Sequence, residues 1–277
     1  MARFASIILL LMMMIRPAES ETLRVISLYP GHSDNIFAMG GNLVALSEND
    51  DADLLPELPR ISLRSGAERI LALRPDAVIT RPFAERINPN MYDVLRRSGV
   101  KVISIDPPKW DDFPEYLLTL AESLNLNPVK GIALLDSALE GIESQSAEKT
   151  RVFLEATSRE LHTCAPDSWP ARLIALSGGV NIADDAKPLR EGSTIAPYGV
   201  ESLLRNAASL DVYIIQTGAM NPATLKDFHA REWASALSHA RVYEIPERYI
   251  SRPSLLGLEK GIKILRKIFT EDSKNAR

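Results

Sequence analysis

Short apolar runs rich in β-branched residues alternate with stretches of helical periodicity from Arg24 almost to the C-terminus. This alternation predicts an α/β fold with largely parallel sheets. The predicted strands are RVISL (24–28), LVALS (43–47), DAVIT (76–80), KVISI (101–105), RVFLEA (151–156), DVYIIQ (211–216) and RVYEI (241–245). No strand is predicted between the fourth and the fifth, so the pattern divides the chain near its middle.

The gap between those strands has the pattern of helices. Asn127 is a plausible N-cap with Pro128 at the first helical position, and Leu134, Leu135, Ala138, Leu139 and Ile142 share one face. This predicts a helix of about twenty residues, roughly 30 Å long, joining two lobes. The predicted organisation is an N-terminal lobe at 21–126, a linking backbone helix at 127–149 and a C-terminal lobe at 150–277.

An imperfect repeat relates the two sides of the linking helix. RVISL corresponds to RVFLEA, AERILALRPDAVIT to VESLLRNAASLDVYIIQ, and KVISI to RVYEI. Each half runs in the order strand, Glu-headed helix, Asp-headed strand and a further Arg- or Lys-headed strand. The order favours two similar α/β lobes, although any two α/β segments share some likeness.

The first twenty residues have the pattern of a cleavable export signal. Arg3 precedes an apolar run at 7–15, and Ala18 and Ser20 have the spacing of a peptidase site. Removing 1–20 takes away Arg3, Arg16 and Glu19, which changes the formal charge from −4 to −5. A mildly acidic chain without basic clusters gives no indication of nucleic-acid binding. The single Cys, Cys164, excludes an intramolecular disulfide.

Ligands of open parallel sheets bind at the carboxyl ends of the strands. The segments that follow the predicted strands supply Tyr29, His32, Arg81, His162, Asp167, Trp169, Met220 and Asn221. Such a mixture of aromatic, cationic and hydrogen-bonding groups suits a bulky, partly apolar ligand that carries negative or metal-bound groups. If two lobes face each other, these segments line one cleft.

Each of these candidates also has a simpler interpretation. His32 also fits the start of the following helix, Arg81 also fits a solvated side chain, and Trp169 and Met220 also fit internal packing. His162 and Cys164 have H-x-C spacing, but two adjacent donors do not complete a tetrahedral metal site. The sequence has no G-x-S-x-G, H-E-x-x-H, P-loop or G-x-G-x-x-G motif.

Glu68 and Glu201 occupy the same place in the repeat, near the start of a helix that leads into an Asp-headed strand. A carboxylate there is stabilised by the helix dipole, which is a sufficient structural reason for it. The functional interpretation is a matched pair of exposed charges that dock on two copies of a basic partner surface.

Several stretches together resemble the periplasmic substrate-binding proteins of ABC importers for vitamin B12, iron-siderophores and haem. They are RVISLYPGHSDNIFAMG, ERILALRPDAVIT, VKVISID, RVFLEA, SGGVNIADDA, YGVESLLRNAASLDVYIIQTG and ISRPSLLGLEKG, in order from Arg24 to about Leu265. The resemblance implies two Rossmann-like lobes joined by one long backbone helix, with the ligand between them and modest closure. It also implies that Glu68 and Glu201 form salt bridges with arginines of a dimeric permease.

By position, the resemblance adds Tyr198, the segment 216–221 and Arg252 to the pocket-lining set of Tyr29, His32, Arg81 and Trp169. The ligand stays open. This sequence has few of the cleft aromatics of B12 binders; Arg81 and Arg252 would suit a siderophore, and Tyr29, His32 or Tyr198 would suit haem.

The sequence therefore predicts an exported, monomeric periplasmic binding protein without catalytic residues, cofactor or metal site of its own. We expect it to bind a metal chelate (iron-siderophore, corrinoid or haem) and deliver it to an inner-membrane ABC permease dimer with its ATPase. Two alternatives remain: a periplasmic α/β enzyme using His32 or His162 as a base, and a ligand sensor that docks on a membrane receptor.

Overall fold

Two parallel sheets form the framework of the computed structural model, which describes residues 22–140, 142 and 149–270. The strands are β1 Arg24–Ser27, β2 Asn42–Ser47, β3 Arg60–Ile61, β4 Ala77–Thr80, β5 Lys101–Ser104, β6 Thr150–Glu155, β7 His162–Cys164, β8 Gly179–Asn181, β9 Ile195–Pro197, β10 Val212–Thr217 and β11 Arg241–Pro246. The first sheet has the order β3-β2-β1-β4-β5 and the second the order β11-β10-β6-β8. β7 and β9 form a short antiparallel pair.

Helices connect the parallel strands, as crossovers between parallel strands require. They are α1 Pro30–Met39, α2 Ala67–Leu71, α3 Pro82–Ile87, α4 Pro89–Arg97, α5 Phe113–Ser123, α6 Pro128–Leu139, α7 Trp169–Leu176, α8 Val200–Arg205, α9 Leu225–His229, α10 Glu247–Ile250 and α11 Leu255–Thr270. All seven predicted strands are present within one or two residues of their predicted bounds, and the predicted α/β class with parallel sheets is confirmed.

Side chains alternate between the two faces of each strand, so each sheet contributes to two cores. Val25 of β1 and Val152 of β6 belong to one shared apolar cluster. The next residue in each strand points to the opposite face. Ile26 packs in a separate N-terminal cluster, and Phe153 packs in a separate C-terminal cluster. The two lobes are therefore joined through a continuous hydrophobic core, and each also has an outer core of its own.

The predicted repeat is present in the hydrogen bonds at the strand starts. The Asp76 carboxylate accepts a bond from the backbone N–H of Arg24, and the Asp211 carboxylate accepts one from that of Arg151, both at 2.7 Å. β1, β4 and β5 are neighbours in the first sheet, as β6, β10 and β11 are in the second. The Arg-headed and Asp-headed strands are thus paired in the same way in both lobes.

The linking helix begins as predicted but is shorter. The Asn127 side chain accepts a hydrogen bond from the backbone N–H of Val129 at 3.0 Å, so Asn127 is the N-cap and Pro128 the first helical residue. α6 ends at Leu139, and Glu140 has an extended backbone with ψ of 132°. The described helix is therefore 12 residues instead of about twenty. Residues 141 and 143–148 of the predicted helix lie outside the described part of the chain.

The C-terminal helix α11 contacts both lobes. It packs on α1 and α6 of the N-terminal half and on α7 of the C-terminal half. Its buried residues Leu255, Leu258, Ile262 and Leu265 recur every three or four positions, which places them on one face. None of the described helices has the length and hydrophobicity needed to cross a membrane. The predicted export signal, 1–20, lies outside the described residues.

Candidate ligand-binding cleft

The carboxyl ends of the strands in the two lobes approach each other along one cleft. Tyr29 follows β1 and Arg81 follows β4 in the N-terminal lobe. Asp51, in the loop after β2, forms an ion pair with Arg252, which follows β11 in the C-terminal lobe, at 2.6 Å. This contact joins the loop after β2 of one lobe to the segment after β11 of the other.

Tyr29 and Arg81 lie together in this cleft. The Arg81 guanidinium carbon is 4.8 Å from the centre of the Tyr29 ring. The Arg81 side chain is 37% exposed, and its Nε lies 3.9 Å from Asp106 Oδ1. Burial raises the pKa of Tyr29 although the positive charges of Arg81 and Arg252 lower it, so the ring remains a phenol at neutral pH. Arg81 is thus a partly exposed cation that lies against a largely buried phenol.

His32 has no solvent-exposed surface. Its Nε2 donates to the carbonyl oxygen of Ile105 at 3.0 Å, and its Nδ1 lies 2.7 Å from the Tyr116 hydroxyl. Because a carbonyl can only accept, Nε2 carries the proton and Nδ1 accepts from Tyr116. Burial lowers the pKa of His32 to about 4, which keeps the ring neutral. The expected ligand contact is therefore not supported, and a structural role at the start of α1 accounts for both nitrogens.

Trp169 also packs internally. It is 3% exposed. Its ring lies 4.6 Å from the Trp110 ring and 4.9 Å from the Phe113 ring, measured between centroids. Nearby, Lys109 and Asp167 form an exposed ion pair at 3.5 Å. Trp169 thus joins the lobes, as its simpler interpretation held, and leaves no face for a ligand.

Arg252 is 7% exposed and is not free to bind an anion. Its guanidinium lies 2.6 Å from Asp51, 3.2 Å from Asp34 and 3.6 Å from Glu247. Burial alone would lower the pKa of Arg252, but the charges of Asp34 and Asp51 raise it, so the residue stays cationic. The resemblance placed Arg252 in the pocket, whereas this geometry makes it the centre of an ion-pair cluster between the lobes.

The three C-terminal candidates have different environments. Asn221 is fully buried, accepts from the backbone N–H of Ser158 at 3.0 Å and donates to Glu155 at 3.3 Å, so it shapes the loop after β6. Tyr198 is partly buried and accepts from Asn206 at 2.7 Å. Met220 is 55% exposed and remains available as an apolar contact.

His162 and Cys164 lie on β7 and do not form a metal site. Cys164 is buried, and burial raises the pKa of its thiol to about 11, so it stays protonated. Asn181 donates to its sulfur at 3.2 Å. His162 Nε2 is 3.6 Å from the Glu160 carboxylate. Within 22–140, 142 and 149–270, no three His, Cys, Asp or Glu side chains are grouped to hold a metal ion.

Glu68 and Glu201 are both exposed, in the first turns of α2 and α8. The two helices hold the same place in the two lobes, each before the Asp-headed strand β4 or β10. The structure therefore presents them as a matched pair of surface carboxylates.

Two buried or interlobe charged groups were not predicted from the sequence. Glu155 is fully buried at the end of β6, where Arg231 binds both of its oxygens at 2.6 and 2.9 Å and Tyr213 donates to it. Arg248 pairs with Asp53 at 2.6 Å across the lobes. The partners are 76 and 195 residues apart in sequence, so no local pattern connects them.

Known proteins resemble this chain in both sequence and fold. The vitamin B12-binding protein of Vibrio parahaemolyticus is 26% identical over 264 residues, covering 89% of this chain and 90% of the relative. A possible iron-binding, periplasmic solute-binding protein of Staphylococcus epidermidis superposes with a TM-score of 0.71 at 18% identity, covering 90% of this chain and 98% of that one. The periplasmic haem-binding protein HutB of Vibrio cholerae gives 0.69 at 18%, covering 89% and 98%. No family model matches the sequence.

These comparisons confirm the resemblance predicted from the sequence. The chain has the fold of the periplasmic binding proteins for vitamin B12, haem and iron. In sequence it is a distant relative of the vitamin B12-binding proteins over most of its length. The matched proteins are named as binding proteins. Both nitrogens of His32 are already hydrogen-bonded, so the alternative in which His32 acts as a base is not supported.

Proposed function

We propose that this protein captures a metal chelate in the cleft between its lobes and delivers it to an ABC permease with its ATPase in the inner membrane. The chelate is an iron-siderophore, a corrinoid or haem; the matched proteins are named for vitamin B12, haem and, as a possible function, iron. The protein acts as an exported monomer in the periplasm, released there by cleavage after residue 20.

One observation carries this proposal. Arg81, with its side chain 37% exposed, lies over Tyr29 where the carboxyl ends of β1 and β4 meet the cleft. A guanidinium beside a phenol suits oxygen-rich, anionic surfaces such as carboxylates and the oxygens of chelated iron. Met220, exposed at the carboxyl end of β10, supplies an apolar contact to the same ligand.

The proposed delivery step depends on Glu68 and Glu201. They are the exposed carboxylates in equivalent helices of the two lobes, so they suit a partner that presents the same basic surface twice. A dimeric permease is such a partner.

Absorption spectroscopy and native mass spectrometry on protein purified from its own periplasm test the proposed function. We expect a mature mass that starts near residue 21, plus a bound species whose spectrum distinguishes haem, corrinoid and ferric siderophore. The proposal fails if the protein is empty and also binds none of haemin, cyanocobalamin or ferric citrate when these are added.

A further inference from the structure

The side chain of Asn221 joins the turns that follow β6 and β10. Its Oδ1 accepts from the backbone N–H of Ser158 at 3.0 Å, and its Nδ2 donates to Glu155 Oε1 at 3.3 Å. We propose that Asn221 is a positioning residue of the cleft, which holds the exposed side chain of Met220 where the ligand contacts it. This inference rests on the proposed function and adds a residue that acts on the ligand through another one.

Met220 lies in the tight turn 218–221, directly after β10. The backbone N–H of Gly218 donates to the carbonyl oxygen of Asn221 at 3.0 Å, and the N–H of Asn221 donates to that of Gly218 at 3.1 Å. Met220 is 55% exposed, whereas Asn221, the next residue, is fully buried. Because so much of Met220 lies outside the protein core, the turn that carries it sets its position. Fixing Asn221 therefore fixes Met220.

The turn 218–221 borders the junction between the lobes. A Cβ at Gly218 would come within 2.6 Å of the Glu247 carboxylate, so the turn packs directly on that side chain. Glu247 pairs with Arg252 of the interlobe cluster at 3.6 Å. Burial raises the pKa of Tyr29, and the negative charge of Glu247 raises it further. The turn that carries Met220 and the cleft residue Tyr29 thus share Glu247 as a neighbour.

A buried ion pair anchors Asn221. Glu155 is fully buried, and its two oxygens accept from Arg231 at 2.6 and 2.9 Å. Tyr213 donates a further hydrogen bond to the same carboxylate. Breaking a buried, bidentate pair is costly, so the carboxylate keeps one orientation. Glu155 therefore gives Asn221 a fixed acceptor, and Asn221 passes that position on to the turn 218–221.

The turn after β6 has a strained backbone that Asn221 helps to hold. Glu160 and Leu161 are consecutive and have φ of 56° and 46°, in the left-handed region that residues other than glycine rarely adopt. Such a backbone persists only where its surroundings hold it. Asn221 holds the N–H of Ser158, and the N–H of Gly199 donates to the carbonyl oxygen of Leu161 at 3.2 Å. Without Asn221, we expect this turn to relax.

A double-mutant cycle of Asn221→Ala and Met220→Ala tests the inference, with haemin, cyanocobalamin and ferric citrate as probes. For a probe that the wild type binds, Met220→Ala should weaken binding about fivefold, as expected when a partly buried apolar contact is truncated. Asn221→Ala should weaken it by about the same factor, because Met220 is displaced. The double variant should bind no more weakly than the weaker single variant, since a displaced Met220 has no contact left to lose. Two independent effects would instead multiply.

Hydrogen exchange measured by mass spectrometry gives a second readout. In Asn221→Ala the backbone amides of 158–162 should exchange about tenfold faster or more, because Ser158 loses its acceptor and the strained turn is released. Met220→Ala should leave this exchange unchanged, since the Asn221 side chain is intact.

Asn181→Ala is the matched control, since Asn181 is a buried amide of the same lobe. Its Nδ2 donates to Thr163 and Cys164 of β7 at 3.1 and 3.2 Å. This variant should lose stability in thermal melts but bind the probe like the wild type. If the melts show that Asn221→Ala does not fold, Asn221→Ser, which retains one polar atom, takes its place in the cycle.

Four outcomes would overturn the inference: wild-type affinity in Met220→Ala, wild-type affinity in Asn221→Ala, losses that multiply in the double variant, or unchanged exchange of 158–162 in Asn221→Ala. Each of them leaves the proposed function intact. A wild type that binds none of the three probes and is empty when purified from the periplasm removes both.

Discussion

At the residue scale, His32 shows how a polar side chain becomes part of a core. Its two nitrogens are divided between a carbonyl acceptor, Ile105, and a hydroxyl donor, Tyr116. A neutral ring of one tautomer satisfies both partners, whereas a charged ring could not accept from Tyr116. His32 therefore links the start of α1 to the end of β5, the segment that leads to Asp106 beside Arg81.

Replacing His32 with Gln should lower the free energy of unfolding by about 2–3 kcal/mol, because a buried hydrogen-bond network loses a partner. Ligand affinity should change by less than about threefold, since His32 is covered by its neighbours. Urea unfolding and ligand titration of the same variant separate the two effects. A tenfold loss of affinity at unchanged stability would instead make His32 a ligand contact.

The pH dependence of stability provides a second test of His32. Its pKa is about 4 in the folded protein and 6.5 for the ordinary group, so only the unfolded chain gains a proton between these values. Stability should be fully present above pH 6.5 and fall by about 3 kcal/mol as the pH drops to 4. His32→Gln should lose this component in urea unfolding measured from pH 7 to pH 4.

The ionisation of Asp50 should change the stability of the protein with pH in the opposite direction to that of His32. Asp50 is 8% exposed, and its Oδ1 has no hydrogen-bond partner. Burial raises its pKa from 3.8 to about 7, so its contribution is present at low pH and is lost as the pH rises through 7. We predict that Asp50→Asn is about 2 kcal/mol more stable than the wild type at pH 8 and equally stable at pH 4. Equal stabilities at pH 8 in urea would contradict this.

At the scale of elements, both lobes contain the same hydrogen bonds between an Asp-headed strand and its Arg-headed neighbour. The carboxylate of an Asp-headed strand binds the backbone N–H of the Arg at the start of the neighbouring strand. The Arg side chain in turn donates to a carbonyl just before that Asp strand, Arg74 in one lobe and Ser209 in the other. This double connection fixes the register of two parallel strands that lack a hairpin to align them.

We predict that Asp76→Ala and Asp211→Ala destabilise the protein by the same amount, about 1–2 kcal/mol, because the two hydrogen bonds have the same length and setting. Chemical unfolding of the two variants checks the equality. Asp93→Ala is a suitable control, since the Asp93 carboxylate forms an exposed ion pair with Arg96 at 3.6 Å. A difference above about 1 kcal/mol between the two Asp variants would show that the two hydrogen bonds do not contribute equally to stability, although they have equivalent places in the repeat.

Local patterns predicted most of the elements, because strand alternation and caps are properties of neighbouring residues. The prediction that Asn127 is the N-cap is confirmed. The predicted helix was too long, because apolar residues continue on the same face past Leu139, where the described helix ends. Cleft residues were harder to assign, since their roles depend on partners far away in sequence. Arg252 and Asp34 are 218 residues apart, and nothing local shows that this Arg is already paired.

At the scale of the whole molecule, the shared core limits how the lobes move. Residues from both sheets, such as Ile79 and Ile214, belong to the same buried cluster. The ring packing of Trp110 and Trp169 and the ion pairs of Arg252 strengthen the junction on two sides. Opening this junction would expose apolar surface, so modest closure, as the resemblance implied, is the motion that this packing favours.

Reversing both charges, Glu68→Arg with Glu201→Arg, should abolish uptake of the ligand in cells and leave ligand affinity unchanged. The physical reason is that like charges would then meet the basic surface of the permease, far from the cleft residues. Uptake assays and binding titrations of the same variant provide the two measurements. Normal uptake by the double variant would disprove the docking role.

The continuous core also has a consequence for recognition by the transporter. Because the core holds the lobes together and permits only modest closure, we expect the span between Glu68 and Glu201 to change little when the cleft is filled. In the proposed docking, the permease recognises the protein by the spacing of these two carboxylates. That spacing does not indicate whether a ligand is bound. Loaded and empty copies then compete equally for the permease, and the signal that a ligand is present must come from the loops at the mouth of the cleft.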